Sequence, residues 1–467
     1  MVYSLSIITA SYLYERSIPC RNLSTTLLKL ARNLISNSCA KVIEFIHQII
    51  TSPDFLARHR QHRKDFSRQR KLPFHILIVF LINFVKGSYQ DELDKFFKAI
   101  WRFDVAKRVV SKVALTKARM KLKFGAFVEL NRHLVNQFEI HFNPRTWFGF
   151  RLLAVDGSTA RLPMTDEIVH HFGVWNGRQG APSPMARVSQ LFDVLNKITV
   201  DATIKPKNTG ERELAAQHLL NVMPNDLILL DRGYPAWWLF NSILSMNANF
   251  CARVSCTKWK AVRKFFRSGL PEKIIDLSVH ATSVAQCRQM GLDMTPLKLR
   301  LIRIENDDKV AVLVTSLIDT KQYPIDIFND LYHQRWPIEE DYKTIKCRME
   351  LENFSGKSAL SVYQDFHAKV FAKNLVWMMA FPVQDCLDED TSFKTYRYQI
   401  NFTQAFSKSK GVIALLFHDT GRKIRRLIAD LQCIFQRTVE SIRPGRKYPR
   451  NHKAKSRRYF LQYKPIG

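Results

Sequence analysis

Three acidic residues stand where metal-assisted phosphoryl transfer would need them. Asp156 follows the apolar run Leu152, Leu153, Ala154, Val155, and Asp231 follows Leu227, Ile228, Leu229, Leu230. Gly157 and Gly233 come close behind. The pattern predicts two buried strands, each ending in a carboxylate. An aspartate after an apolar strand is by itself most often a turn or cap residue. Two at equivalent strand ends are what a shared cation would require. The third acid is Glu339, in the segment YHQRWPIEEDYKTIK (332–346). Tyr332, Arg335, Glu339 and Lys346 there have offsets of 0, 3, 7 and 14. On a continuous α-helix they fall within a ~60° stripe. One surface would then carry a carboxylate between two cations and a phenol; the bland counterpart is a salt-bridged helix face. Pro337 fits a first helical turn or a kink, which puts Tyr332 and Arg335 before any bend. Glu340, ~100° round the helix, is the alternative ligand. Oxygen-only donors suit hard divalent cations such as magnesium. Two such ions ~3.5–4 Å apart can activate a nucleophile and stabilise a leaving oxygen.

The elements that must position these residues follow from hydrophobic period. From residue 150 the chain reads as a strand to Asp156 and then a hairpin over 188–204, turning at Asn196 and Lys197. A helix over 211–223 follows, with Leu214, Leu219, Leu220 and Met223 inward, then the strand before Asp231. A helix over 235–247 and a strand over 249–255 complete the run. This order of strand, hairpin, helix, strand, helix, strand resembles a ribonuclease H-like sheet. Three β-type runs at 273–279, 297–305 and 309–317 then read as a β-rich insertion. A long helical segment spans about 324–350, and a buried helix covers 361–382. The expected class is α/β: a ribonuclease H-like core with a β-rich insertion, preceded by an α-helical N-terminal domain. The expected borders are 1–145 for the basic helical domain, 146–255 and 321–385 for the two parts of the core, 256–320 for the insertion, and 386–467 for a C-terminal helical region with a basic tail.

Charge supplies the partner. Lys and Arg total 72 against 41 acidic residues, a formal +31. A surplus of that size spread along the chain fits a polyanion, since each neutralised phosphate releases condensed counterions. Residues 56–72 hold seven Lys/Arg against one Asp, and the tail from Ser441 is basic and expected to be disordered without DNA. After the candidate cap Ser111, Val113, Leu115, Ala118 and Leu122 occupy apolar positions while Lys112, Lys117 and Arg119 fill the other faces. That suits a helix-turn-helix reader or a structural basic helix. Arg253, Lys258, Lys260 and Trp259 are further candidates for a DNA channel, with solvated surface and a buried structural Trp as the alternatives. Eight scattered cysteines form no CxxC pair, which argues against zinc and fits a reducing compartment. The start lacks a signal-peptide pattern, and the longest apolar run, Ile76 to Val85, is too short to span a bilayer. The expectation is a cytoplasmic, nucleoid-associated protein with no membrane partner.

The spacing Tyr-x2-Arg-x3-Glu-x6-Lys, preceded by VDGSTARLP and LLDRGY around the two aspartates, resembles the DDE transposases of the insertion-sequence-4 family. The resemblance covers roughly residues 65–450. It implies a bacterial insertion-sequence transposase that cleaves transposon ends and transfers the strand to target DNA. Asp156, Asp231 and Glu339 would hold two magnesium or manganese ions. Tyr332, Arg335 and Lys346 would contact double-stranded end DNA, and a homodimer would form the synaptic complex. Some members stack an aromatic of the insertion on a flipped base; here Ala311 begins the strand where one is expected. The alternatives are a ribonuclease H-like nuclease or resolvase without strand transfer, and a domesticated, non-catalytic DNA-binding descendant. The latter would have lost an acidic ligand, and all three are present.

Overall fold

A computed structural model describes residues 25–175, 182–257, 259–306 and 309–443. The described chain separates into two compact units. One comprises residues 25–85, 89–118 and 375–443; the other comprises 86–88 and 119–374. Among the described residues no helix is long and apolar enough to cross a membrane. The basic tail lies outside the described residues from 444 onward; its first residues, Ser441 and Ile442, close a strand and are not disordered as expected.

The first unit is mainly helical and draws on both ends of the described chain. The helix Thr25–Thr51 meets Arg422–Arg437 through a bond from the Ser36 hydroxyl to Gln432 (3.0 Å). Lys410 pairs with buried Glu92 at 2.8 Å. A two-stranded ribbon, Arg397–Ile400 with Val439–Ile442, lies in the region expected to be helical.

The second unit is built on a nine-stranded mixed sheet. Its strands are β1 (Arg151–Arg161), β2 (Val174–Trp175), β3 (Ser183–Asp193), β4 (Ile198–Pro206), β5 (Asp226–Leu230), β6 (Asn249–Val254), β7 (Glu272–Leu277), β8 (Leu297–Asn306) and β9 (Lys309–Thr315). The order is β2-β3-β1-β5-β6-β9-β8-β7, with β4 paired to β3. β1, β5 and β6 run parallel and the other pairings are antiparallel. The apolar runs of β1 and β5 are buried throughout, as strands covered on both faces must be. One face carries Leu153, Val155 and Leu230 in a cluster with Ala215, Leu239 and Phe240 of two covering helices. The other carries Phe192, over whose ring Lys373 of the helix Ala359–Asp390 sits at 4.9 Å.

Several expectations need correction. β1 does not stop at Asp156 but continues to Arg161, because β3 stays paired with it as far as Met185. The helix after β4 ends at His218, so Leu220, expected inward, is 85% exposed, and Met223 is exposed as well. Val113 is exposed too, on a short helix that buries only Leu115 and Arg119. The insertion holds two helices besides its strands, Lys260–Ser268 and Ala281–Gln289. β7, β8 and β9, the strands of the expected insertion, extend the main sheet. Gly125–His141, expected with the N-terminal helices, falls in the sheet unit, where Asn131 donates to the Thr199 carbonyl (3.1 Å).

Candidate active site

Strand register brings the first two acids together. The parallel ladder of β1 and β5 ends at Val155 opposite Leu230. One more residue in that register sets Asp156 beside Asp231, about one inter-strand spacing of ~4.8 Å away. β5 and β6 end with Leu230 opposite Ala252, so Arg253 follows beside Asp231. Alternation then points Asp156, Asp231 and Arg253 out of the sheet face opposite Leu153 and Val155. Gly157 points the other way, where an added Cβ would lie 3.3 Å from the Tyr234 hydroxyl.

Glu339 arrives from a broken helix. Ile327–His333 is one short helix, a turn carries Gln334, Arg335 and Trp336, and Pro337 opens the helix Pro337–Lys343. Thr344–Arg348 then widens into a π-turn, a distortion found often at functional sites. The expected single stripe therefore does not exist as one α-helix face. Its residues still converge on the sheet. The Tyr332 hydroxyl donates to Asp231 (3.2 Å). Arg335 donates to Glu339 at 2.6 Å, and its other terminal nitrogen lies 3.9 Å from Asp156. Lys346 donates to the Ser158 hydroxyl at 2.6 Å. Ser158 faces as Asp156 does, two residues along the strand. Glu340, the alternative ligand, is exposed and paired with Lys343.

Less visible residues hold this frame. The Tyr342 hydroxyl donates to the Asp156 carbonyl at 2.8 Å. The Ser189 hydroxyl reaches the same carbonyl at 3.4 Å and also meets His218, whose other ring nitrogen meets Asp201. Beneath Glu339 the buried pair Lys373–Asp341 spans 2.7 Å. Sequence reasoning missed Tyr342 and Asp341. Tyr342 follows Glu339 by three positions, a neighbouring place on a helix, and that signal was available.

Burial, then the neighbouring carboxylates Glu339 and Asp231, push the Asp156 carboxyl up to about 6 against the Gly157 amide and Arg335. Burial lifts the Tyr332 phenol well above its ordinary range, and Asp231 adds to this. Burial lowers the Lys346 ammonium, opposed by Glu352. Among the described residues no three His, Cys, Asp or Glu side chains are gathered to hold a metal as they stand. Glu339 is turned onto Arg335 instead.

Residues 147–375 match the family model "Transposase DDE domain". The transposase InsG of insertion sequence element IS4 from Escherichia coli (strain K12) is 23% identical over 404 residues, 84% of this chain and 88% of that protein. The chain is a DDE-type transposase, similar to those of the insertion-sequence-4 family. It is a DNA-cleaving and strand-transferring enzyme, of a family that generally uses divalent metals. A solved piggyBac transposase synaptic complex with hairpin DNA aligns with this transposase at a TM-score of 0.42 and 8% identity, over 83% of this chain and 85% of that one.

The remaining candidates for DNA contact in this transposase fare unevenly. Arg253 stands close enough to the Tyr332 phenol to lower its pKa, on the same sheet face. Lys112 and Lys117 are exposed. Arg119 is a correction: it is 4% exposed. Its guanidinium is committed to Gln364 (2.9 Å), Ser355 (3.0 Å) and Asp365 (2.8 Å), so it cannot meet a phosphate as it stands. Trp259 packs edge-on against Phe240 at 5.8 Å and belongs to the fringe of the core, the structural alternative. Lys258 lies outside the described residues.

Proposed function

We propose that Asp156, Asp231 and Glu339 are the acidic triad of this transposase, holding two magnesium or manganese ions. The observation that carries it is a parallel register ending at Val155 opposite Leu230, each one residue before an aspartate, with Glu339 tied to Asp156 through Arg335. The donor set fits hard cations: every ligand is a carboxylate. The rise of Asp156 to about 6 marks a site short of positive charge. The order β4-β3-β1 followed by parallel β5 and β6 supports a ribonuclease H-like core.

Bound cations would polarise the scissile phosphate and stabilise the leaving oxygen. The protein's own groups do the rest. Arg335 leaves Glu339 for the phosphate, which it can grip with two parallel donors. That rotation frees the Glu339 carboxylate toward Asp156 and Asp231. Lys346, anchored on Ser158 and Tyr342-supported β1, supplies a point charge beside the strand. Tyr332 holds Asp231 in place and donates to or stacks on the end DNA. Water breaks a P–O3′ bond at the transposon end, leaving a 5′-phosphate, and the freed 3′-hydroxyl attacks a target phosphodiester in line, displacing the target's own 3′-oxygen, which leaves as a hydroxyl. The substrates are double-stranded terminal inverted repeats and target DNA, handled by a homodimer in a synaptic complex in the cytoplasm, at the nucleoid.

Asp156→Ala should abolish manganese-dependent cleavage of a duplex carrying the element's own ends while leaving end binding largely intact. Equal cleavage by both proteins removes Asp156 from the mechanism.

A further inference from the structure

We infer that the helix Lys260–Ser268 of the insertion is a dedicated DNA-backbone contact. Its inner face is apolar: Val262 and Phe265 are buried in the cluster on the sheet. Its outer face is cationic apart from Ser268 at the helix end. Lys260, Arg263, Lys264 and Arg267 are all exposed, at offsets of 0, 3, 4 and 7. Those offsets confine the four charges to a ~100° arc and a ridge ~10 Å long. The helix contains no acidic residue. Among the described residues none of the four joins an ion pair.

Such a ridge works against the helix that bears it. Each cation has a like-charged neighbour three or four positions away, which destabilises a helix. Lys260 in the first turn also opposes the helix dipole. A fifth cation is fixed alongside: Arg303 of β8 lies 5.3 Å from the Phe266 ring centroid and donates to the carbonyls of Phe266 (2.5 Å) and Leu270 (3.2 Å). Those bonds engage two of its five donors with neutral carbonyls, which supply no countercharge. An anionic partner relieves the repulsion, and its charges must repeat along a line. One strand of duplex DNA offers a phosphate every ~3.4 Å of axis, so about three fall within the ridge. The helix also begins seven residues after Arg253, beside Asp231 in register. This inference rests on DNA as the substrate, and not on the assignment of metal ligands.

The test uses the full chain and duplex DNA of arbitrary sequence, with binding followed by fluorescence anisotropy across a salt series. The variant combines Lys260→Gln, Arg263→Gln, Lys264→Gln and Arg267→Gln; glutamine preserves helix propensity. The slope of log affinity against log salt should become shallower by about 2–3, and affinity near physiological salt should drop about tenfold or more. The melting temperature should hold or rise. If the quadruple variant fails to fold, Arg263→Gln with Lys264→Gln should show about half the change in slope, and Arg263→Lys with Arg267→Lys none. An unchanged slope in a folded variant overturns the inference. So does a loss confined to binding of phosphatidylserine vesicles with DNA binding intact. Failure of the metal assignment would show separately, as cleavage retained by Asp156→Ala, and would leave this slope comparison standing.

Discussion

Asp156 is under opposed demands. Its backbone carbonyl is held by Tyr342, its carboxylate borrows charge from Arg335, and burial beside two other acids penalises its ionised form. The folded carboxyl titrates at about 6 against an ordinary 3.8. Between those values the metal-free folded state keeps a proton that the unfolded chain has lost. Its contribution to stability is therefore full below pH ~4 and is lost as pH rises through ~6, by up to about 3 kcal/mol. Asp156→Asn removes this titration. Urea unfolding at several pH values should show wild type losing about 2–3 kcal/mol relative to the variant across that window. Saturating Mn2+ should restore the wild type, because ligand binding to the folded state alone stabilises it. Parallel curves for the two proteins would mean that Asp156 is not held in the charge-poor setting described.

At the scale of elements, the strands were legible and the third acid's support was not. The runs before Asp156 and Asp231 are apolar at every position because both sheet faces are covered, a pattern that a single sequence displays directly. The continuation of β1 to Arg161 is set by cross-strand pairing with β3, which local composition does not encode. The break at Pro337 was visible, whereas the π-turn at Thr344–Arg348 leaves no periodic trace. Nor does sequence reveal that Asp341, one step beyond Glu340, turns inward to meet Lys373. That pair fixes the helix carrying Glu339. Lys373→Met alone should strand the Asp341 carboxylate and cost about 3–5 kcal/mol in urea unfolding. Lys373→Met combined with Asp341→Leu should recover most of that loss, since apolar replacement of both partners is often nearly neutral. If single and double variants are equally destabilised, the pair is not what holds this helix down.

Over the whole molecule the formal +31 was the plainest signal and the coarsest. It named a polyanion without saying which cations face it. Arg119 and Lys117 stand two apart in the same helix, yet one is sealed against Asp365 and the other is in solvent. Composition weighs them equally; only packing tells them apart. The ridge at 260–267 shows the converse, because there helical spacing alone sorts buried Val262 and Phe265 from four exposed charges. If most of the surplus serves DNA, binding must be dominated by counterion release. Affinity of the full chain for duplex DNA should then fall about a thousandfold or more between ~50 and ~200 mM salt, as expected for six or more phosphate contacts. Cleavage of an already assembled manganese complex should change far less over the same range, because the buried site charges are weakly screened. Anisotropy titrations and single-turnover cleavage on one set of salt solutions separate the two quantities. A flat binding response would show that the positive charge serves something other than the nucleic acid backbone.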